Sequence, residues 1–283
     1  MKVFYSVSEF RSWENQLPVI FVPTMGALHE GHASLMRAAR RPGFASVVSI
    51  FVNPTQFGPN EDFSKYPRTL DADLEVCRQH GVDAVLVPEV VDIYPVNDAT
   101  MVKVGGVAEP YEGAFRPSHF DGVATVVLKL FNIVQPAVAC FGQKDLQQCA
   151  VIQQMVRDLA VPVSIEVLPT MREDDGLALS SRNRYLSTES RAKAAYLPHV
   201  LKECLRSISQ GLDVPKILDS SSQALANNGF EVQYLAWIDP LTFEPQAKFD
   251  PRFRLVVAAK FEGVRLIDNI GLQDLDLVSI EKA

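Results

Sequence analysis

The chain has 283 residues, of which 47% are hydrophobic and 22% charged, and its formal net charge is −7. This length suits two domains, and the composition is that of an ordinary globular protein. The sequence has no signal-peptide core, no apolar run of membrane length and no CxxC pair among its four cysteines. We therefore expect a cytoplasmic protein with reduced thiols and no membrane partner. The negative charge argues against a nucleic-acid partner, because nucleic-acid binding depends on a basic surface.

The first 170 residues alternate short β-branched-rich runs with helical patterns. The predicted strands are 17–22, 46–52, 84–87, 137–141 and 163–168. The predicted helices between them are 33–40, 70–80, 123–133 and 146–159. Such alternation indicates βαβ units, and hence an α/β domain over residues 1–174 with a Rossmann-like parallel sheet flanked by helices.

The pattern changes after Asp174-Asp175-Gly176. A helix is predicted from Ser187 to residue 210, ending at Gly211, and a second helix over Val214–Asn227 is capped by Asp213. Three predicted strands follow at 231–238, 254–261 and 264–268. Helices followed by antiparallel strands indicate a smaller C-terminal α+β domain over residues 175–283.

Residues 23–32 read PTMGALHEGH and follow the first predicted strand. Because residues three apart share a helix face, His29 and His32 can aim their rings at one ligand. A helix start offers unpaired N–H groups and a positive dipole end, and Gly26 and Gly31 permit close backbone approach. The segment is therefore typical of a site for nucleotide phosphates, although a capping or surface role for either histidine remains open. Zinc is not indicated, since metalloprotease histidines lie four apart.

Two further loops follow predicted strands, at the edge where parallel sheets bind ligands. Asn53 and Gln56 offer donors and acceptors suited to a small hydroxy acid, or they satisfy only the loop backbone. Lys144, in the segment 142–145, lies in the first turn of a predicted helix, where a cation opposes the dipole. Such a lysine is explained by a bound phosphate, with simple solvent exposure as the alternative.

Two polar segments lie elsewhere in the chain. The loop 179–184, LSSRNR, combines hydroxyl groups with arginines at the junction of the two predicted domains, which suits phosphate binding, although a solvated loop is the alternative. Arg116 and His119 carry a weaker signal, because either residue could cap the helix that follows.

Together these segments resemble the pantothenate synthetase (pantoate–β-alanine ligase) family, within the HxGH nucleotidyltransferase and class I aminoacyl-tRNA synthetase superfamily. Five ordered motifs carry the resemblance, at 23–32, 49–57, 66–68, 141–145 and 180–184. The resemblance implies condensation of (R)-pantoate with β-alanine to pantothenate, with ATP as substrate and a pantoyl adenylate intermediate. AMP and pyrophosphate are the expected by-products. The resemblance also implies a homodimer. We further expect Mg²⁺ with the phosphates, and a smaller domain that acts as a lid over the site.

The resemblance also assigns residues. The implied catalytic residues are His29, His32 (a proton donor), Lys144 and Arg182. The implied ATP contacts are Met25, Gly26, Ala27, Leu28, His29, Glu30, Gly31, His32, Gly142, Gln143, Lys144, Asp145, Met171, Leu179, Ser180, Ser181 and Arg182. Gln56 and Gln148 hold pantoate, Gln56 also approaches β-alanine, and we expect Asn53 in the same pocket. Leu179 replaces the family's usual Met and Gln143 its usual Glu, without loss of a phosphate donor. No protein ligand of Mg²⁺ is implied.

Three other functions share parts of this pattern. An adenylyltransferase that stops at the nucleotidyl product is the nearest alternative, but it does not need Gln56 and Gln148. A tRNA synthetase is disfavoured by the net charge and by the lack of a basic anticodon-binding region. A non-catalytic nucleotide sensor would not need residues for a second substrate.

Overall fold

A computed structural model of the chain describes residues 1–59, 61 and 63–276, and it divides into two compact units. The larger unit comprises Met1–Gln143 and Gln147–Pro169, and the smaller comprises Lys144–Leu146 and the residues from Thr170 onward. The predicted boundary after residue 174 falls five residues inside the smaller unit. In the described part of the chain, no helix has both the length and the apolarity needed to span a membrane.

The larger unit is built on a six-stranded sheet in which every pairing is parallel. Its strands are β1 (Lys2–Phe4), β2 (Val19–Thr24), β3 (Ala45–Ile50), β4 (Ala84–Leu86), β5 (Val138–Gly142) and β6 (Ser164–Leu168). The spatial order is β1-β4-β3-β2-β5-β6, so the direction of strand addition reverses between β2 and β5. Open α/β sheets bind ligands beyond the carboxyl ends of the strands at such a reversal. The predicted Rossmann-like sheet is confirmed.

The helices of this region are α1 (Val7–Arg11), α2 (Glu30–Ala39), α3 (Leu70–Gln79), α4 (Val90–Ile93), α5 (Glu112–Phe115), α6 (His119–Val134) and α7 (Leu146–Asp158). Helices cover both faces of the central strands, which explains why β2, β3 and β4 are buried over almost their whole length. Met36 of α2 shares a buried cluster with Ile20 and Val22 of β2. Phe21, on the opposite face of β2, meets Phe131 of α6 with ring centroids 6.4 Å apart.

The predicted strands of this unit occur within two residues of their expected ends. β1 was not predicted, because three residues at a sheet edge give no readable alternation. Two helices begin earlier than expected. α2 starts at Glu30, which makes His29 its N-cap, and α6 starts at His119.

The smaller unit contains α8 (Thr188–Ala194), α9 (Tyr196–Ser209), α10 (Val214–Asn227), β7 (Phe230–Ile238), β8 (Arg254–Phe261), β9 (Val264–Gly271) and α11 (Gln273–Asp276). Its antiparallel sheet has the order β7-β8-β9, as predicted for a small α+β unit. Asp213 caps α10 by accepting from the Lys216 N–H at 3.0 Å. The single helix predicted from residue 187 to 210 is wrong. Pro198 has no N–H to donate to Ala194 and its ring crowds that carbonyl, so two helices form.

Candidate active site

The loop between β2 and α2 has a backbone that only a few residues tolerate. Gly26 and Ala27 are consecutive left-handed residues, with φ of +79° and +51°. An alanine in this region costs about 1–2 kcal/mol, so the surrounding structure must impose the conformation. A Cβ at Gly26 would lie 2.9 Å from Asp73 Oδ2, so glycine is needed for space as well as for φ.

Asp73 of α3 imposes this conformation. Its carboxylate accepts from the Ala27 N–H at 3.0 Å and the Leu28 N–H at 2.8 Å, and it is only 2% exposed. Sequence reasoning did not identify Asp73, although one signal was available. Asp73 lies directly before Leu74 and four residues before Cys77, on the buried side of an amphipathic helix where a carboxylate needs donors.

His29 and His32 are held by the start of α2. Nδ1 of His29 accepts from the Gly31 N–H at 3.1 Å, and Nδ1 of His32 accepts from the His29 N–H at 3.2 Å. A ring nitrogen that accepts carries no proton, so each neutral ring has its proton on Nε2. The ring centroids are 4.1 Å apart. The two Nδ1 atoms are thus engaged by backbone N–H groups, and Nε2 is the donor nitrogen of each ring.

The expectation that the helix start leaves backbone N–H groups unpaired is wrong for most of this loop. The loop N–H groups that already have a partner belong to Gly26, Ala27, Leu28, His29, Gly31 and His32. The positive end of the α2 dipole remains to favour an anion.

Gln56 lies next to the histidine loop. Its Nε2 is 2.9 Å from Met25 Sδ, and its Oε1 accepts from Asn53 Nδ2 at 3.1 Å. β2 and β3 are paired neighbours, so the loops that follow them meet at one edge of the sheet. The structure thus brings together Gln56 and Met25, two residues that the sequence placed in one site.

Asn53, which we expected to contact substrate, has protein partners for every polar atom of its side chain. It is 1% exposed, its Oδ1 accepts from the Tyr94 hydroxyl at 2.8 Å, and its Nδ2 donates to Gln56 Oε1 and to Gly122 O. Both amide protons and the oxygen are therefore engaged. Asn53 and the unpredicted Tyr94 orient the Gln56 side chain.

Arg116 and His119 are not helix caps, because the N-cap of α6 is Ser118 and no side chain caps it. His119 Nδ1 donates to Gln56 O at 2.8 Å, and Arg116 donates to His119 Nε2 at 3.0 Å. Burial, and then the charge of Arg116, lower the pKa of His119 to about 4, so the ring is neutral at pH 7. Two hydrogen bonds of 2.7 Å tie Arg116 to Glu61. Burial would raise the pKa of the Glu61 carboxyl, but Arg116 holds it below its usual value. This network fixes the backbone of Gln56.

Two adjacent glutamines of α7, Gln147 and Gln148, differ in the hydrogen bonding of their side-chain amides. Gln147 is buried, accepts from the Glu112 N–H at 3.0 Å and donates to Val107 O and Pro110 O at 2.9 and 2.7 Å. Gln148 is half-buried, and its amide has no hydrogen-bond partner among residues 1–59, 61 and 63–276. The Gln147 amide is therefore engaged within the fold, whereas the Gln148 amide is not engaged by any of the described residues.

Of the remaining predicted residues, Gly142 and Gln143 lie in the larger unit and the others in the smaller unit. Lys144 occupies a 3-10 turn (Gln143–Asp145), with Nζ 3.7 Å from Asp145 Oδ1. The Leu179 N–H donates to Met171 O at 3.0 Å, which brings two predicted ATP contacts together. Ser180 begins the 3-10 turn Ser181–Tyr185, its hydroxyl accepting from the Arg182 N–H at 3.3 Å. The predicted residues therefore form one group in each unit.

Comparisons with known proteins agree with these observations. The model of the family described as pantoate–beta-alanine ligase matches residues 2–271. A pantothenate synthetase of Rhizorhabdus wittichii is 50% identical over 257 residues, covering 90% of this chain and 91% of that protein. The solved pantothenate synthetase of Thermus thermophilus has a TM-score of 0.92 at 46% identity, covering 96% of this chain and 99% of that one. A Francisella tularensis pantoate–β-alanine ligase, complexed with beta-gamma ATP and β-alanine, has a TM-score of 0.81 at 35% identity, with coverages of 96% and 97%. The chain belongs to the pantoate–β-alanine ligase family.

Proposed function

We propose the following route for the ATP-dependent condensation of (R)-pantoate with β-alanine that this chain catalyses. The pantoate carboxylate attacks the α-phosphorus of ATP, the bond to the bridging oxygen breaks, and pyrophosphate leaves with the electron pair. The product is pantoyl adenylate, a mixed anhydride. The β-alanine amine then attacks the acyl carbon, loses a proton and expels AMP, giving pantothenate.

The imidazole pair carries the first step in this proposal. His29 and His32 donate hydrogen bonds from Nε2 to phosphate oxygens and stabilise the charge that develops on pyrophosphate. The observation behind this role is that each Nδ1 accepts from a backbone N–H of the same helix start, which fixes the donor on the other side of the ring. Because this tautomer is neutral, we propose that His32 acts as a hydrogen-bond donor to pyrophosphate. Proton donation by His32 first requires uptake of a proton at Nδ1, in place of the hydrogen bond from the His29 N–H.

The other charged and polar residues have separate roles. We propose that Lys144 and Arg182 neutralise phosphate charge, for which cationic side chains are suited. Gln56 and Gln148 bind pantoate through their side-chain amides, and Gln56 also contacts β-alanine. This assignment is supported by the contrast between Gln148, whose amide has no partner in the described part of the chain, and Gln147, whose amide is fully engaged.

Mg²⁺ is part of the proposal as a companion of the ATP phosphates. The described residues contain no group of three or more His, Cys, Asp or Glu side chains arranged to hold a metal ion. We propose that the ion is held chiefly by phosphate oxygens and water, the usual arrangement for nucleotide-bound Mg²⁺. When bound, the ion neutralises phosphate charge. We also propose a homodimer, as the family resemblance implies, and a location in the cytoplasm.

Pyrophosphate exchange tests the proposal. Wild-type protein with ATP, Mg²⁺ and labelled pyrophosphate should form labelled ATP only when pantoate is present, and β-alanine should not be required. His32→Ala should lower this rate about 10²–10⁴-fold, as removal of a charge-stabilising group does. His199→Ala is the matched control, because His199 is exposed on α9. Exchange without pantoate, or a His32→Ala variant with the wild-type rate, would contradict the proposal.

A further inference from the structure

Two adjacent residues of β9, Asp268 and Asn269, take no part in the reaction as proposed, yet they are only 3% and 2% exposed. Burying a carboxylate and an amide costs free energy unless each group is paired. Their partners therefore indicate what the pair does. The residues that these two side chains bind, Arg172, Arg254 and Lys144, lie in the smaller unit.

Asp268 holds the segment that carries Met171 and Leu179. Its carboxylate accepts from both terminal nitrogens of Arg172, at 2.7 and 2.9 Å. Arg172 directly follows Met171, pairs with Ala178 in an antiparallel bridge and donates to Gly176 O at 3.0 Å. One bidentate ion pair therefore fixes the turn between the two predicted ATP contacts.

Asn269 holds Lys144. Its Oδ1 accepts from Arg254 Nε at 3.0 Å, and because arginine has no acceptor this bond fixes which way the amide points. Nδ2 is therefore the donor to Lys144 O at 3.1 Å, across 125 residues of sequence. The backbone of the proposed phosphate-binding lysine is thus attached to β9 at the residue next to Asp268.

Stability alone does not explain this network. Arg172 and Arg254 are balanced by Asp268 and Asp274, so the network carries no net charge with which to attract phosphate. Arg254 Nη1 is buried and has no partner among the described residues. Buried ion pairs are often no more stabilising than apolar side chains of similar size. The unpaired Nη1 of Arg254 lowers the contribution of this network to stability further.

We propose that Asp268 and Asn269 are a positioning pair that sets, from one point on β9, both Lys144 and the turn between Met171 and Leu179. The inference rests on the proposed function, because it takes the ATP contacts of these residues from there. The pair touches no substrate. It acts by restricting where the lysine and the turn can be, and misplacement of such groups is costly even when every reacting residue is present.

Asn269→Asp targets the contact to Lys144. The variant keeps an oxygen for Arg254 Nε and replaces the amide donor by a second oxygen, so the bond to Lys144 O is lost. We expect the maximal rate of pantoate-dependent pyrophosphate exchange to fall about 10–100-fold, with the pantoate KM unchanged. Asn269→Ala, which adds no charge, should change the rate in the same direction. Asn228→Ala is the matched control, because Asn228 is exposed and bonds only within the end of its own helix.

A double-mutant cycle separates positioning from general destabilisation. On a Lys144→Ala background, Asn269→Asp and Asn269→Ala should have almost no further effect, because the side chain that they misplace is gone. The inference would be overturned if the losses of exchange rate multiplied when an Asn269 variant is combined with Lys144→Ala. It would also be overturned if Asn269→Asp and Asn269→Ala alone both kept the wild-type exchange rate. Absence of exchange in the wild type, or a wild-type rate in Lys144→Ala, would instead refute the proposed function.

Hydrogen–deuterium exchange provides a readout that does not depend on activity. The Asn269 variants should increase deuterium uptake in a peptide that covers residues 143–146, while α10 (Val214–Asn227) keeps its wild-type uptake. Unchanged uptake at residues 143–146 would count against the inference. Equal increases in both peptides would mean that the unit as a whole has loosened, which also refutes a specific positioning role.

Discussion

Gly122 of α6 is the position at which one methyl group should disturb pantoate binding without unfolding the protein. A Cβ at this position would lie 2.4 Å from Thr55 O, 2.6 Å from Thr55 C and 2.8 Å from Gln56 N. All three are backbone atoms, and Cβ atoms essentially never come closer than 3.0 Å. The turn must therefore move by at least about 0.6 Å, the difference between 2.4 and 3.0 Å. Gln56 moves with it.

The two effects of Gly122→Ala on stability have opposite signs. Overpacking costs about 1–3 kcal/mol, while alanine in place of glycine within a helix returns about 1 kcal/mol. We therefore expect a folded variant with a net loss of no more than about 2 kcal/mol, since native domains have about 5–15 kcal/mol. The local effect is larger, because misplacing a substrate-binding group can cost up to about 100-fold.

Steady-state kinetics with varied pantoate at saturating ATP test this expectation. Gly122→Ala should raise the pantoate KM or lower pantoate-dependent exchange by about 10–100-fold, and should leave the ATP KM within about twofold. Gly105→Ala is the control, because a Cβ there meets only a side-chain oxygen of Glu109 at 3.9 Å. Wild-type pantoate kinetics in a folded Gly122→Ala protein would refute the placement of Gln56 in the substrate site.

Three further predictions follow from the same geometry. The pKa of His119 is lowered from 6.5 to about 4, so between these pH values the unfolded chain binds a proton that the folded protein does not. The free energy of unfolding should therefore fall by up to about 3 kcal/mol as the pH decreases from 6.5 to 4. Urea titrations should show a smaller fall in His119→Asn, and an equal fall would contradict the assignment. Gln148→Ala should raise the pantoate KM about tenfold with little change in the unfolding midpoint. Gln147→Ala should instead lower the unfolding midpoint, because three buried hydrogen bonds are lost. The reverse pattern would mean that Gln147 binds pantoate and Gln148 supports the fold. Asp73→Ala should lower both pyrophosphate exchange and stability, the latter by about 2–4 kcal/mol from unpaired loop N–H groups; a normal exchange rate would show that the loop holds its shape unaided.

The sequence predicted the features that depend on neighbouring residues. The period of apolar residues gave the parallel strands, and the spacing of His29 and His32 placed both rings on one helix start. The cap at Asp213 was recognisable from an acidic residue directly before an amphipathic run. The break at Ala195 was also recognisable, because Pro198 cannot continue a helix from the preceding turn, but the long apolar period concealed it.

The sequence did not predict the features that depend on distant partners. Asp73 accepts hydrogen bonds from loop N–H groups 46 and 45 residues away in the sequence. Asn269 donates to Lys144 O, which is 125 residues away in the sequence. Whether a polar residue such as Asn53 contacts substrate or supports a loop depends on which partners surround it, and local sequence does not contain that information. For the same reason the roles of Arg116 and His119 became clear only from the structure.

In the proposed route, the site activates pantoate by transferring the AMP group of ATP to its carboxylate. Rapid quench of wild-type protein with α-labelled ATP and pantoate, without β-alanine, measures this directly. We expect pantoyl adenylate and pyrophosphate to form, with slow release of AMP, and the later addition of β-alanine should release AMP and pantothenate together. Formation of ADP, or of no labelled adduct between pantoate and AMP, would contradict the account.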